Sequence, residues 1–445
     1  MISQNRRQLL KSAAGMAALN LPSLLEMQAQ ASVPNRSARS CIVVFCWGGM
    51  SHYESFDPRP DAISEYRGEF SAIDTSVPGI RFCEHLPGLA KHADKMAVIR
   101  SVHHDQGGHQ QGLYISLTGH RMTGGRAGDR ENWPSLTAMI SRFADPFEGA
   151  PAAIRLPYSM YDNGTLMAGE YGGWLGGEYD PILMKTPAGR PFAGVSRYTT
   201  RELDLKLNLK PDRVQQRRDL LRDFDQQLST QEDFSRHDRF RRMAADMLMG
   251  PGVREAYDLE SEDLRIRTMY GNHIGGQSML LARRLVESGV PVVQVCAGAG
   301  DLAGGGGDNW DTHRNHFPKM KDRLLPVFDR SASALLTDLE QRGMLEETLV
   351  VFLTDFGRTP RVNNNGGRDH YPAVYSAVLA GGGIKGGQVY GSSNPNGTAV
   401  ATGLCSPGDV HATVYRALGI GAHAELTDSF GRPFQICDGQ PLPLV

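Results

Sequence analysis

The chain has 445 residues, enough for one large α/β domain or two ordinary ones, and its 40% hydrophobic and 22% charged content is that of a globular fold. A formal net charge of −2, with no basic stripe along any predicted helix, argues against a nucleic-acid partner. The 51 glycines, clustered in patches such as Gly304–Gly307 and Gly381–Gly383, predict long shaped loops on a regular scaffold.

The chain opens with a twin-arginine pattern, Arg6-Arg7-Gln8-Leu9-Leu10-Lys11, followed by a short apolar stretch and a small-x-small end at Ala31. This reads as a Tat export signal over residues 1–31, cleaved after Ala31, and the apolar stretch is too short and weak for a permanent span. No transmembrane anchor is expected after cleavage, and the expected location is the periplasm or the medium. Removal of Arg6, Arg7, Lys11 and Glu26 leaves the mature chain at −4. The Tat translocase carries folded cargo, which favours a protein folded around a metal or cofactor before export. The six cysteines (41, 46, 83, 296, 405 and 437) show no zinc-like spacing and sit in apolar runs, so they read as small buried hydrophobes, with room for one disulfide.

From residue 40 onward, short apolar runs alternate with helical patterns. "CIVVFCWGG" (41–49) has the continuous hydrophobicity of a strand buried on both faces. Further strands are predicted at 96–102, 152–157, 290–298, 348–354 and 375–381. Helices are predicted at 86–94, 135–144 and 276–289, with one long helix over 317–344. The alternation predicts an α/β fold with an open, mostly parallel central sheet. Residues at about 200–270 are highly charged, helical and poor in strand signals, and read as a helical insertion on that domain.

Ligands bind at the carboxyl ends of strands in such sheets. Ser51, His52 and Asp57 follow the first strand, and His103, His104, Asp105 and His109 follow the second. Asp308, Asp311, His313 and His316 follow the strand at 290–298, and Asp355, Arg358, Asp369 and His370 follow the one at 348–354. Half of the 14 histidines fall in these four loops. Histidine with aspartate suits zinc, manganese or iron, whereas carboxylates with backbone oxygens suit calcium. Asp311 and His313 share a face if the backbone is extended. Arg358, after Gly357, suits a bidentate contact to a sulfate, phosphate or carboxylate, or a structural ion pair with a neighbouring aspartate.

The phrases "GGMSHYESFDPRP", "WDTH", "TDFGRTPRVN" and "GRDHYPAVYSAVLAGGGIKGGQVYG" resemble the Tat-exported bacterial family catalogued as domain of unknown function 1501, over about residue 40 to the C-terminus. That family is placed in the alkaline phosphatase and sulfatase-like superfamily. The resemblance implies one domain over 40–445, an alkaline phosphatase-like three-layer sandwich with metal ligands at the strand ends, hydrolysing sulfate or phosphate esters of small molecules or carbohydrates.

Position by position, the match departs from the superfamily pattern. Trp47 stands where the first strand's metal-binding Asp is expected. Counting back ten positions from Gly119 in "SLTG" lands the nucleophile position on His109, and the late Asp-His-Gly reads Asp355-Phe356-Gly357. The resemblance then implies a divalent ion, zinc, manganese or calcium, held by some of Asp311, His313, Asp355, Asp369 and His370. His109 and His52 would be catalytic, with His109 as nucleophile or general acid/base and Arg358 as holder of the anion. The alternative is a catalytically inactive sulfatase-like protein that binds anionic sugars or acts in the cell envelope.

Overall fold

A computed structural model describes residues 36–184, 251–298 and 309–445, except 123, 145, 147–149, 422 and 429. The expected signal over 1–31, most of the insertion expected at about 200–270, and Asp308 lie outside the described residues. The described end of that insertion is helical, with turns at Pro251–Tyr257 and Leu264–Tyr270.

Eight strands form the central sheet: β1 (Ser40–Cys46), β2 (Met96–Val102), β3 (Ala153–Leu156), β4 (Ile182–Leu183), β5 (Val292–Cys296), β6 (Thr348–Thr354), β7 (Tyr375–Ala380) and β8 (Gln388–Tyr390). Their order is β8-β2-β7-β6-β1-β5-β3-β4. The pairings are parallel except for those of β7, which runs antiparallel to both β6 and β2. The predicted strands are thus found, and the short edge strands β4 and β8 are added to them.

Helices α1 (His109–Thr118), α2 (Leu136–Phe143) and α5 (Pro407–Ala417) cover one face, and α3 (Ile274–Glu287) and α4 (Leu325–Gln341) cover the other. Alternation along each strand separates two cores. Ile42, Val44, Val350 and Phe352 pack with Leu281, Leu285, Phe328 and Leu335. Val43, Phe45, Val351 and Leu353 pack with Leu113, Leu117, Met139 and Val414. Successive side chains of a strand point to opposite faces, so a run apolar at every position fills both layers. The fold is the expected α/β three-layer sandwich.

The long predicted helix over 317–344 is broken. A short helical segment, His316–Lys319, passes through a π turn, Met320–Leu324, before α4 begins. Pro326 lacks an amide hydrogen and its ring crowds the preceding turn, which accounts for the irregular ladder. All six cysteines are buried and unpaired.

Register sets the site. Cys46 is level with Thr354, and Phe45 with Cys296, so β1, β5 and β6 end together. Trp47, Ala297 and Asp355 therefore leave the sheet side by side. Val102 at the end of β2 lies opposite Tyr375, on the same edge. No helix among the described residues is long and apolar enough to cross a membrane.

Candidate metal centre

The loops after β1, β2, β5 and β6 meet at this edge. Gly48 turns the chain at a φ of 109°, and a Cβ on it would stand 2.4 Å from the Asp311 amide nitrogen. Only glycine permits that approach. Likewise, a Cβ on Gly367 would lie 1.9 Å from the His313 carbonyl oxygen, where the segments around residues 313 and 367 run against each other. His109 begins α1, and its side chain points back over the sheet edge.

Four side chains, His109, Asp311, His313 and His370, bring one ligand atom each to within 4.8 Å of one another. Asp311 Oδ1 lies 3.1 Å from His313 Nε2 and 3.3 Å from both His109 Nε2 and His370 Nε2. The Nε2 atoms of His313 and His370 are 2.9 Å apart.

The other nitrogen of each ring is occupied by a group that can only accept. His109 Nδ1 donates to Asp355 Oδ2 at 2.6 Å, His313 Nδ1 to Asp369 Oδ1 at 2.6 Å, and His370 Nδ1 to the Gly107 carbonyl at 2.7 Å. In the neutral rings the proton is therefore on Nδ1, and three Nε2 lone pairs face one carboxylate oxygen across a small space. Acceptors so arranged need a shared cation or protons between them.

The charges reflect this. Burial opposes protonation of His109, but Asp311 and Asp355 outweigh it and push its pKa up to about 9. Asp311 and Asp369 raise His313 against the effect of burial, whereas burial, with the charges of His109 and Arg358, pulls His370 down. Despite burial, the three imidazoles and Arg358 hold the Asp311 carboxyl far below the usual range.

The donor set fits a transition ion. Metal–nitrogen bonds of about 2.0–2.1 Å in a tetrahedron imply ligand–ligand edges of about 3.3 Å, close to the separations above. His109 Nε2 is buried and has no aligned hydrogen-bond partner among the described residues. Three nitrogens and one carboxylate suit zinc or manganese better than calcium, which takes oxygen ligands.

The remaining expected residues divide. Asp355 and Asp369 stand behind His109 and His313, each holding a ring through Nδ1, the usual arrangement around metal-bound imidazoles. Asp355 is further fixed by the Gly48 amide at 3.0 Å. Arg358 is fully buried and turned inward, with Nε on the Gly49 carbonyl at 3.0 Å, Nη1 on the Arg368 carbonyl at 2.9 Å, and Nη2 on Asp311 Oδ1 at 2.6 Å and on the Gly48 carbonyl.

His52 lies apart, with Nε2 on the Gly397 carbonyl at 2.9 Å. Asp57 pairs with Arg59 and Arg100, Asp105 with Arg121, His103 caps the Cys405 carbonyl, and His316 meets Glu54. Where the superfamily pattern has a histidine, Phe356 forms an apolar wall against His370 and His109, at ring-centroid distances of 4.4 and 5.1 Å. Trp47 stacks on His109 at 5.3 Å. Nothing in the sequence signals Glu54 and Arg368, a buried pair beside the cluster, because a single Glu in a polar loop looks like any surface carboxylate.

The centre is open on one side. Side-chain exposure is 40% at His313 and 52% at Asp369, against 5% at His109 and 8% at Asp311.

No curated protein matches the chain. Among solved structures it is similar to Ps i-CgsB, at 10% identity over 91% of this chain and 75% of that one, with a TM-score of 0.43. It is also similar to the PsFucS1 sulfatase from Pseudoalteromonas sp., at 12% identity over 89% and 70%, TM-score 0.37. A mutant of TAB5 alkaline phosphatase matches at 9% identity over 82% and 96%, TM-score 0.37. The family described as "Protein of unknown function (DUF1501)" matches residues 38–444, and the chain belongs to it.

Proposed function

We propose that this protein is an exported, metal-dependent hydrolase of sulfate or phosphate esters, its ion held by His109, Asp311, His313 and His370. The observation that carries the metal is the convergence of three Nε2 lone pairs, each ring locked through Nδ1, on Asp311 Oδ1. The ester class comes from the sequence resemblance, and export through the Tat translocase to the periplasm or medium from the twin-arginine start.

A bound divalent ion would polarise an ester oxygen and lower the pKa of a water molecule. The chain's own residues prepare that position. Asp355, Asp369 and the Gly107 carbonyl orient the three rings, and Arg358 balances the charge of Asp311. Trp47 and Phe356 shield the flanks of His109, and substrate enters on the side of His313 and Asp369. His109 then serves as ligand rather than as nucleophile, and Arg358 supports Asp311 instead of gripping the anion. None of the four cluster side chains bonds a hydroxyl or thiol among the described residues, which supports attack by water.

That same lack of a side-chain nucleophile favours the second reading, a protein that binds anionic sugars without turnover. The deciding experiment is metal analysis of the purified protein together with hydrolysis of aryl sulfates and aryl phosphates after loading with zinc or manganese. The hydrolase reading expects about one ion per chain, its loss in His313→Ala, and turnover that tracks ion content. Metal without turnover, and a thermal shift with sulfated or phosphorylated sugars, would select the second reading. No metal under any loading condition would sink the first.

A further inference from the structure

Beside the cluster lies a second set of buried polar side chains that is no part of the candidate ligand set. Glu54, in the loop after β1, is 1% exposed, and Arg368 and His316 are fully buried. Arg368 Nη2 donates to Glu54 Oε1 at 2.8 Å and His316 Nε2 to Oε2 at 3.0 Å; the Ser51 hydroxyl also donates to Oε2. A carboxylate only accepts, so His316 carries its proton on Nε2. Burial foremost holds this ring neutral, and its Nδ1 accepts the Thr312 hydroxyl at 2.7 Å. The Thr312 carbonyl in turn accepts the Arg368 amide at 3.1 Å.

Thr312 stands between Asp311 and His313, and Arg368 immediately precedes Asp369 and His370. The Glu54 carboxylate is thus the point where both segments are tied, one through His316 and Thr312, the other through the Arg368 guanidinium. A buried ion pair adds little net stability over apolar packing of the same volume. Arg368 Nε has no hydrogen-bond partner among the described residues, which makes the network poorer still as a device for stability alone. What it supplies is relative placement, and a coordination shell tolerates displacements of only about 0.5 Å.

We propose that Glu54 is a positioning residue for the metal centre, setting the separation of the Asp311–His313 segment from His370. The proposal rests on the reading of the cluster as a metal site. It assigns a role to a buried acidic residue of the loop after β1 that is no part of the ligand set and to which the sequence resemblance gives no role.

The test uses the full chain, with Co2+ as the probe. It measures Co2+ affinity by chelator competition, the visible Co2+ absorption band, and the unfolding midpoint in excess EDTA, for wild type, Glu54→Gln and Ser51→Ala. Glu54→Gln keeps the shape and removes the charge, and Ser51→Ala removes a single hydrogen bond and keeps the proposal testable if the first variant does not fold. The expected result is Co2+ binding weakened about 10–100-fold in Glu54→Gln, by less in Ser51→Ala, with a changed absorption band in both. A lower EDTA midpoint with wild-type Co2+ affinity and spectrum would mean a structural role only and would overturn the proposal. Wild-type protein that binds no Co2+ would overturn the metal reading and this proposal together, whereas normal binding by wild type and both variants overturns this one alone.

Discussion

Asp355 Oδ2 accepts from His109 Nδ1 at 2.6 Å while its Oδ1 accepts the Gly48 amide at 3.0 Å, so one carboxylate ties the start of α1 to the turn after β1. Its consequence for chemistry is the tautomer of His109. Asp355→Asn offers an amide NH2 that can donate to Nδ1, which would move the ring proton to Nε2 and aim it at the ion. We expect Asp355→Asn to fold and to lose about 10–100-fold in zinc affinity, the usual effect of altering a group behind a metal-bound histidine. Chelator competition measures this, and unchanged affinity would show that Asp355 does not control the ring.

The turn that receives Asp355 makes a second prediction. In Gly48→Ala the new methyl would meet the Asp311 amide at 2.4 Å, on a backbone with φ of 109°. A non-glycine residue in such a conformation costs about 1–3 kcal/mol before the clash is counted. The clash falls on main chain, which cannot swing away like a side-chain tip. The expected outcome is a loss of more than ~2 kcal/mol in chemical denaturation and, in the protein that remains folded, loss of metal binding through displacement of Asp311. A Gly48→Ala variant with wild-type stability would contradict the geometry of the turn.

Much of this fold was legible in the sequence, and the reason is physical. "CIVVFC" and the "LVVFL" within "TLVVFLT" are apolar at every position because β1 and β6 lie between two helical layers, and few other structures need that pattern. Helix α5 goes unpredicted although Ser406 and Asp409 form a capping box and Pro407 opens the helix, signals its modest hydrophobic content obscures. The edge strands β4 and β8 are short and half-buried, so they carry no strong pattern. At the site, the histidines and aspartates were visible as types, but their division into cluster and supporting groups was not. That division depends on which ring nitrogen faces which acceptor, and His109 meets Asp355 across 246 positions of chain. Arg358 illustrates the same limit: its spacing after a Gly suits an anion contact or an ion pair with a neighbouring aspartate alike, and only the fold shows its donors turned inward to Gly48, Gly49 and Asp311.

An ion that binds the folded state alone would be linked to stability. At free zinc a hundredfold above its Kd, the native state gains about 2.7 kcal/mol. Wild-type protein should therefore unfold at a higher temperature with zinc than in EDTA, and Asp311→Asn should show no such difference, because it removes the carboxylate toward which all three Nε2 atoms point. An Asp311→Asn variant that responds to zinc like wild type would mean that the ion sits elsewhere.

Two histidines away from the candidate site contribute to the acid side of the stability curve. His411 is buried on α5, with Nε2 donating to the Ser116 carbonyl at 2.9 Å, and His273 caps α3 by accepting the Gly276 amide on Nδ1 at 2.9 Å. Burial foremost, with His120 near the first and Arg330 near the second, lowers both to about 4 from an ordinary value of 6.5. A lowered histidine means that the unfolded chain binds more protons over this window, so the stability these two rings contribute falls as pH drops from 6.5 to 4 and is constant above 6.5. Each ring then contributes on the order of 3 kcal/mol of acid lability. Urea unfolding from about pH 7.5 to about pH 4 should show this slope. In His411→Gln, which keeps a donor for Ser116 but cannot titrate, about half of the part due to these two rings should vanish while the His273 part persists. An acid limb identical to that of wild type would show that His411 is already charged in the folded protein.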